Sequence, residues 1–113
     1  SNGSQMDDNE DIIRIASMWH PFVGEIKARL AIGLETYGHG VRVEDDTTQW
    51  GTEVNSWLEM GLEEIDDLAI YVMAQLLREK KKDYDNLNEF AGILKELRDT
   101  RRRIMEVMLR EDA

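Results

Sequence analysis

The 113-residue chain contains no cysteine and only one proline. The absence of cysteine excludes disulfide bonds, thiolate metal sites and catalysis by a thiol. Basic residues are also scarce, since 14 Lys and Arg stand against 24 Asp and Glu and leave a net charge of −10. This charge argues against a nucleic-acid duplex or an anionic membrane as the partner. It does not exclude a small polyphosphate that binds together with divalent cations.

Long apolar runs are missing too, and none approaches the ~20 residues that a membrane-spanning helix needs. The N-terminus lacks the basic and then apolar pattern of a secretory signal. We therefore expect a cytoplasmic protein. Residues 1–10 are predicted to be a polar, disordered tail, and residues 11–113 to form a single helical domain with a modest core.

Helical periodicity runs through most of the sequence, whereas no strand pattern, internal repeat or low-complexity linker occurs in it. The apolar spacing predicts a short helix over Asp11–Trp19, which should end near His20 because the proline that follows disfavours helix at the preceding residue. A second helix is predicted over Phe22–Tyr37, with Gly38 as its left-handed cap. Pro21 can serve as the first residue of that helix.

The longest predicted helix covers Trp50–Lys82, and a capping box formed by Asp46 and Gln49 would start it. The segment contains no proline and is rich in Leu, Glu, Ala and Met. At about 1.5 Å per residue this helix would be ~45 Å long, which exceeds the width of a compact domain of this size. Either the helix kinks at Gly61 or its end packs against another subunit.

A last helix is predicted from the capping box Asn86–Glu89 through about Arg110, after a charged turn over Glu79–Asn88. Its apolar face would consist of Leu87, Phe90, Leu94, Leu97, Ile104 and Met108. The basic runs Lys80–Lys82 and Arg101–Arg103 are predicted to be solvated helix ends. The predicted fold class is all-α: a helical bundle of three main helices plus a short N-terminal helix, assembled as an oligomer.

Two acids of the long helix, Glu64 and Asp67, lie one turn apart at the predicted edge of the core. At about 100° per residue, Trp57 and Tyr71 lie on the same side of the helix as this pair. Three further acids point the other way: Glu59, Glu63 and Asp66. Like charges one turn apart cost free energy unless something neutralises them. A metal ion is the obvious candidate, and the alternative is a solvated edge of an amphipathic helix.

The segment Leu62–Tyr71, with its Glu64-x-x-Asp67 pair, resembles the second acidic motif of the MazG-like, all-α nucleoside triphosphate pyrophosphohydrolases. The preceding pattern of Arg29, Gly33 and Tyr37-Gly38 resembles the phage- and mobile-element-type branch of that superfamily. The resemblance covers residues 24–78. It implies a magnesium-dependent hydrolase that cleaves a (deoxy)nucleoside triphosphate to the monophosphate and pyrophosphate, in house-cleaning of the nucleotide pool. It also implies a homodimer or homotetramer.

The first acidic motif of the family, normally E-x-x-E on the preceding helix, is incomplete in this chain. Glu25 is followed by Ala28 at that spacing, and Glu35 is preceded by Ile32. The direction around the helix favours Glu25, whereas the sequence distance to Glu64 favours Glu35. The predicted catalytic and metal-binding residues are therefore Glu25, Glu64 and Asp67, with Glu35 as the alternative to Glu25. Oxygen ligands without a suitable His pair favour Mg²⁺, or else Mn²⁺, over Zn²⁺.

Several other residues are candidates for binding the substrate. Arg29 could grip phosphate or form an ion pair with Glu25 one turn away, and Lys27 and Arg42 are weaker phosphate candidates. The aromatic side chains that could stack on a nucleobase, or else belong to the core, are Trp50, Trp57 and Tyr71. A second class of function stays open because the first motif is incomplete: a catalytically silent helical module for oligomerisation or protein binding.

Overall fold

The computed structural model describes residues 7–80 and 86–112, and these residues form helices and their connections without any strand. Four α-helices lie in these ranges: α1 (Asn9–Trp19), α2 (Val23–Tyr37), α3 (Trp57–Lys80) and α4 (Leu87–Asp112). A short 3₁₀ helix, Thr47–Trp50, precedes α3. The all-α prediction is confirmed for the described residues. The chain divides into two compact units, Ser1–Asp45 and Asp46–Ala113.

The first unit contains α1 and α2, which pack against each other. Helix α1 ends at Trp19 as predicted, and His20 is extended (φ −118°, ψ 124°), as expected for a residue before proline. Helix α2 begins at Val23, one residue later than predicted, so Pro21 is not its first residue. Gly38 ends α2 in the left-handed conformation (φ +78°) and donates its N–H to the carbonyl of Leu34 at 3.0 Å, which confirms the predicted cap.

The start of α1 is hydrogen-bonded to the loop that follows α2. The N–H of Asp8 donates to the carbonyl of Val41 at 2.6 Å, and the N–H of Val41 donates to Oδ1 of Asn9 at 2.9 Å. The N–H of Val43 donates to a carboxylate oxygen of Asp8 at 2.8 Å. Within the predicted tail of residues 1–10, residues 8 and 9 are thus hydrogen-bonded to this loop, and Asn9 is the first residue of α1. Residues 1–6 lie outside the described part of the chain.

Helix α3 begins at Trp57 and not at Trp50, because the chain first makes the short 3₁₀ helix. Asp46 caps that 3₁₀ helix: its carboxylate accepts from the N–H of Thr48 at 2.9 Å and from the hydroxyl of the same residue at 2.7 Å. These hydrogen bonds lower the pKa of Asp46. Gly51, with φ +106°, then turns the chain out of the helix. The predicted capping box at Asp46 thus starts a different helix from the one expected.

The cap that starts α3 is Ser56, followed by Glu59 in the spacing of a capping box. The N–H of Glu59 donates to the Ser56 hydroxyl at 3.2 Å, and the Glu59 carboxylate accepts from the N–H groups of Glu53 and Val54. Helix α3 is 24 residues long and runs through Gly61 without a break. Its predicted end at Lys82 lies outside the described residues.

Hydroxyl groups fill the interior of the loop before α3. Thr47 is fully buried, and its Oγ1 lies 2.8 Å from Oγ1 of Thr52 and accepts from the N–H of Ser56 at 2.8 Å. The hydroxyl of Thr52 donates to the carbonyl of Val54 at 2.6 Å, and Oδ1 of Asn55 accepts from the N–H of Thr47 at 3.0 Å. These side chains supply the partners that an irregular backbone segment lacks. We call residues 46–59 the threonine loop.

Helices α3 and α4 pack against each other as an antiparallel pair. Asp66 contacts Arg101. Glu79 lies 13 positions further along α3, and its partner Asn86 lies 15 positions before Arg101, so the two segments run in opposite directions. Six of the half-buried residues of α3 recur at alternating spacings of four and three: Leu58, Leu62, Ile65, Ala69, Val72 and Leu76. Six of the half-buried residues of α4 follow the same rule: Phe90, Leu94, Leu97, Arg101, Ile104 and Met108. This is the heptad spacing of a coiled-coil seam.

Each of these two helices covers only one side of the other. Ala16 is the only apolar side chain that is buried among the described residues. The large apolar side chains of α3 that stay exposed are Trp57, Leu68, Ile70, Tyr71, Met73 and Leu77. Of the predicted apolar face of α4, only Leu87 is exposed. No helix in the described ranges is both long and apolar enough to cross a lipid bilayer.

Candidate functional site

The two predicted metal ligands of the second unit lie on the side of α3 that faces away from α4. Glu64 and Asp67 are both exposed, and the helical period places them on one flank, about 100° or more from the seam. Neither forms an ion pair with any described residue. Trp57 and Tyr71 lie on the same flank. We call this set of four residues the Glu64 flank.

Asp66 lies on the opposite flank of α3, as predicted, and a cation neutralises it there. Nε of Arg101 lies 2.8 Å from one of its carboxylate oxygens, and Nη2 lies 3.2 Å from the other. This two-point hydrogen bond lowers the pKa of Asp66 and raises the pKa of Arg101. Both groups are thereby used in joining α3 to α4, so Asp66 is not available as a metal ligand.

Glu59 also has a structural role, because its carboxylate accepts hydrogen bonds from the loop backbone at Glu53 and Val54. Two of the five acids in the first half of α3 are therefore occupied. Glu63 is exposed; it lies about 100° around the helix from Glu64 but only one turn from Asp67. The acids of this half that lack a partner among the described residues are therefore Glu63, Glu64 and Asp67, and Glu64 and Asp67 are the two that the resemblance to the MazG-like motif includes.

The aromatic candidates are all accessible in the chain. The rings of Trp50 and Trp57 pack with their centroids 5.5 Å apart at an interplanar angle of 44°, and their residues are 44% and 37% exposed. Tyr71 is 67% exposed. Each ring therefore presents apolar surface outside the α3–α4 seam, which is what stacking on a base requires.

The candidates of the first unit lie along α2 and are exposed: Glu25, Lys27, Arg29 and Glu35. The predicted ion pair between Glu25 and Arg29 is not formed, so the guanidinium of Arg29 is not tied to its own helix. Glu25 and Glu35 are ten residues apart, or about 15 Å along the helix. A single metal ion can therefore use one of them but not both.

Arg42, the third predicted phosphate ligand, is engaged within its own loop. Its Nε donates to a carboxylate oxygen of Asp45 at 2.9 Å, and its Nη2 lies 3.1 Å from Nε2 of His39. The guanidinium is half-buried in this arrangement. Arg42 thus stabilises the turn after α2, and phosphate would have to compete with these two contacts.

The structure permits a test of whether these residues fit a divalent cation. In residues 7–80 and 86–112, no three or more His, Asp or Glu side chains are grouped so that they could hold a metal ion. A closed cage made by this chain alone is therefore not present in that part of the molecule. Glu64 and Asp67 are exposed carboxylates, the type of oxygen ligand that Mg²⁺ takes in proteins, where one or two carboxylates bind it together with water and substrate phosphate oxygens.

The three arginines of the run Arg101–Arg103 on α4 make different contacts, which the sequence pattern did not reveal. Arg101 pairs with Asp66, and Arg102 pairs with Asp99 on its own helix at 3.0 Å. Arg103 forms no ion pair with a described residue and lines an apolar groove between α3 and α4. The other residues of this groove are Leu58, Thr100, Ile104 and Val107. The three arginines therefore differ in role, although the sequence predicted that all three would be solvated.

Comparison of the chain with protein-family models, with curated proteins and with solved structures gave no match in any of the three. The resemblance to the MazG-like enzymes therefore rests on the residues of α2 and α3 alone.

Proposed function

We propose that this protein is a nucleoside triphosphate pyrophosphohydrolase, which cleaves a nucleoside or deoxynucleoside triphosphate to the monophosphate and pyrophosphate. The proposal rests on which acids of α3 already have hydrogen-bond partners and which do not. Asp66 and Glu59 are occupied by structural contacts. Glu64 and Asp67, the two acids of the MazG-like motif, share an accessible flank with no described partner.

Glu64 and Asp67 would hold Mg²⁺, or Mn²⁺ in its place, and the proposed role of Glu25, or else Glu35, as a further metal ligand rests on the resemblance alone. Such an ion supplies charge compensation for the phosphates and a bound water of lowered pKa. The residues of the chain have separate roles around it. Arg29 and Lys27 would bind phosphate oxygens, and Trp57 and Tyr71 would stack on the base.

We also propose that the enzyme is cytoplasmic and works as a homodimer or homotetramer. The apolar side chains exposed on both flanks of α3, among them Leu68, Ile70 and Leu77, are the surface that further subunits would cover. A nucleic acid or a membrane is not expected among the partners, because the net charge of −10 disfavours both.

The experiment that tests the proposed activity is a screen of nucleoside triphosphates with Mg²⁺ in which pyrophosphate release is measured. We expect release from at least one triphosphate and none when the metal is chelated. A chain that releases no pyrophosphate from any of the common ribo- and deoxyribonucleotides, with either Mg²⁺ or Mn²⁺, is not this enzyme.

The second candidate function is a catalytically silent helical module for oligomerisation or protein binding. The exposed apolar residues of α3 favour it as well, since a purely structural role also needs them. Thermal unfolding separates the two functions. An enzyme is stabilised by Mg²⁺ with nucleotide because the ligands bind only the folded chain, whereas a silent module is not.

A further inference from the structure

One side of the α3–α4 pair carries exposed apolar side chains from both helices. On each helix they lie about 60–120° around from the seam, turned in the same sense as Asp66. Because the helices are antiparallel, turns in the same sense from the two seams lead to the same side of the pair. The exposed apolar residues of this side are Ile70, Met73 and Leu77 of α3 and Met105 and Leu109 of α4. We call this side the Asp66 face.

Neither helix of this pair buries a side chain within the described residues. The residues of the seam are only half-buried, and a second layer is what completes a helical core. Most of the stability of a helix in a protein comes from such packing of its apolar side. The Asp66 face is therefore a surface on which a further layer is expected.

The Asp66 face is large enough for a stable contact. Helix α3 has 24 residues and is about 36 Å long. Two packed helices whose axes are about 8–10 Å apart present a side about 20 Å wide. The face therefore measures roughly 700 Å², close to the ~800 Å² that each partner contributes to a standard protein–protein interface.

The charges on this face lie in one band, and they are complementary. Asp66 and Arg101 meet across the seam, which fixes the register of the two helices. In that register, Glu63 and Asp66 of α3 lie within about one turn of the level of Arg98 and Arg102 of α4. Glu63 has no ion-pair partner among the described residues, and Arg98 and Arg102 pair only within their own helix. Acids on one helix and bases on the other give the face a charge pattern that complements a copy of itself.

Apolar residues lie on both sides of this charged band. Ile70, Met73 and Leu77 follow it along α3, and Met105 and Leu109 of α4 lie level with the first turns of α3. A twofold axis parallel to the helices brings each level of one copy against the same level of another, with α3 across from α4. Apolar levels then meet apolar levels, and the acids of α3 meet the arginines of α4 in the other copy.

We propose that a second copy of this chain packs on the Asp66 face, so that two α3–α4 pairs form a four-helix bundle. The dimer rests on the proposed function only in specifying the homodimer named there, and it does not require hydrolysis. The Glu64 flank lies outside this contact, because Glu64 is turned about 120° from the seam in the opposite sense.

The test compares Leu77→Lys with Leu68→Lys in the full chain. Both leucines are exposed on α3, at 61% and 45%, but Leu68 lies on the side opposite to the Asp66 face. Each variant adds one positive charge, so a general change of electrostatic potential affects them equally. Sedimentation equilibrium measures the dissociation constant of the dimer.

We expect the wild type to dimerise. Leu77→Lys should raise the Kd about a hundredfold or more, because the lysine charge loses water in an apolar contact without gaining a partner. Leu68→Lys should change the Kd less than about threefold, as a substitution on an open surface does.

A second measurement does not depend on weakening the dimer. The chain has no cysteine, so Leu77→Cys and Leu68→Cys each introduce a single thiol. A short bifunctional thiol reagent should link two copies of Leu77→Cys and leave Leu68→Cys unlinked. Circular dichroism melts show whether each variant is folded.

A wild-type chain that stays monomeric at the highest concentration reached overturns the inference. Equal dissociation constants in the two lysine variants also overturn it, and so does linking of Leu68→Cys in place of Leu77→Cys. Pyrophosphate release, measured on the same samples, tests the hydrolase separately. A dimer that depends on Leu77 supports the inference whether or not any triphosphate is cleaved.

Discussion

Two groups of polar residues in the second unit, the threonine loop and the Glu64 flank, are built in opposite ways. In the threonine loop, the hydroxyls of Thr47 and Thr52 are hydrogen-bonded to each other and to the loop backbone. On the Glu64 flank, two carboxylates one turn apart have no described partner. A polar group that is fully paired stabilises its own segment. Acids left unpaired one turn apart repel each other slightly, and the proposed metal ion would offset that repulsion.

The largest effect is expected on the Glu64 flank and concerns activity. Glu64→Gln removes a negative charge and a metal ligand but keeps the size of the side chain. We expect pyrophosphate release to fall by at least about a hundredfold, since changes even to the partners of metal ligands cost 10–100-fold. We expect the unfolding temperature to stay level or rise, because repulsion from Asp67 is relieved. Kinetics and a thermal melt on the same sample measure both quantities.

Glu63→Gln is the matched control for this variant, because Glu63 is the neighbouring exposed acid, lies about 100° around α3 from Glu64 and is not part of the MazG-like motif. It should retain near wild-type turnover. An equal loss in both variants would mean that bulk negative charge, and not a site at Glu64, governs the activity.

The next largest effect is expected in the threonine loop and concerns stability. Thr47→Val keeps the shape of a fully buried side chain but removes the hydroxyl that accepts from Ser56 and contacts Thr52. The buried groups left without a partner should lower the free energy of unfolding by about 1–3 kcal/mol. Urea unfolding measures this change.

Thr48→Val tests whether burial is what matters, because Thr48 is exposed and its hydroxyl donates only to Asp46. We expect its effect to be clearly smaller than that of Thr47→Val. Equal free energies of unfolding in the two threonine variants would show that the internal hydrogen bonds do not stabilise the loop.

The difference between the two regions also explains which features the sequence could predict. Helical periodicity was sufficient to predict that Glu64 and Asp66 lie on different sides of α3. Two helix ends were also predicted correctly, one at His20, which precedes Pro21, and one at Gly38. The start of α3 was predicted wrongly because two capping boxes, at Asp46 and Ser56, compete within ten residues. The buried contacts of Thr47 with Thr52 and Ser56 favour the start of α3 after Ser56. These contacts lie in a loop, so the helical spacing of apolar residues does not predict them.

The role of the arginines on α4 was missed for a related reason. A run of three arginines gives no indication of which one meets an acid. That depends on the register between α3 and α4, which the contact of Asp66 with Arg101 shows. Once the seam positions of both helices are known, Arg101 falls on the heptad of α4 and Arg103 does not.

The smallest effect is expected for the ion pair that joins α3 to α4, and it should depend on pH. Arg101 holds the pKa of Asp66 below the ordinary carboxyl value of 3.8. The ion pair therefore contributes its full stability above pH 3.8, and this contribution is lost as the pH falls through the lowered pKa of the folded state. Asp66→Asn should unfold at a slightly lower temperature than the wild type at pH 7, and this difference should shrink below pH 3.8. Asp67→Asn, one residue further along α3, removes a carboxylate that has no described partner, so it should not lower the unfolding temperature at either pH. If Asp66→Asn and Asp67→Asn gave the same pH profile, the contact with Arg101 would contribute no more to stability than an unpaired surface acid does.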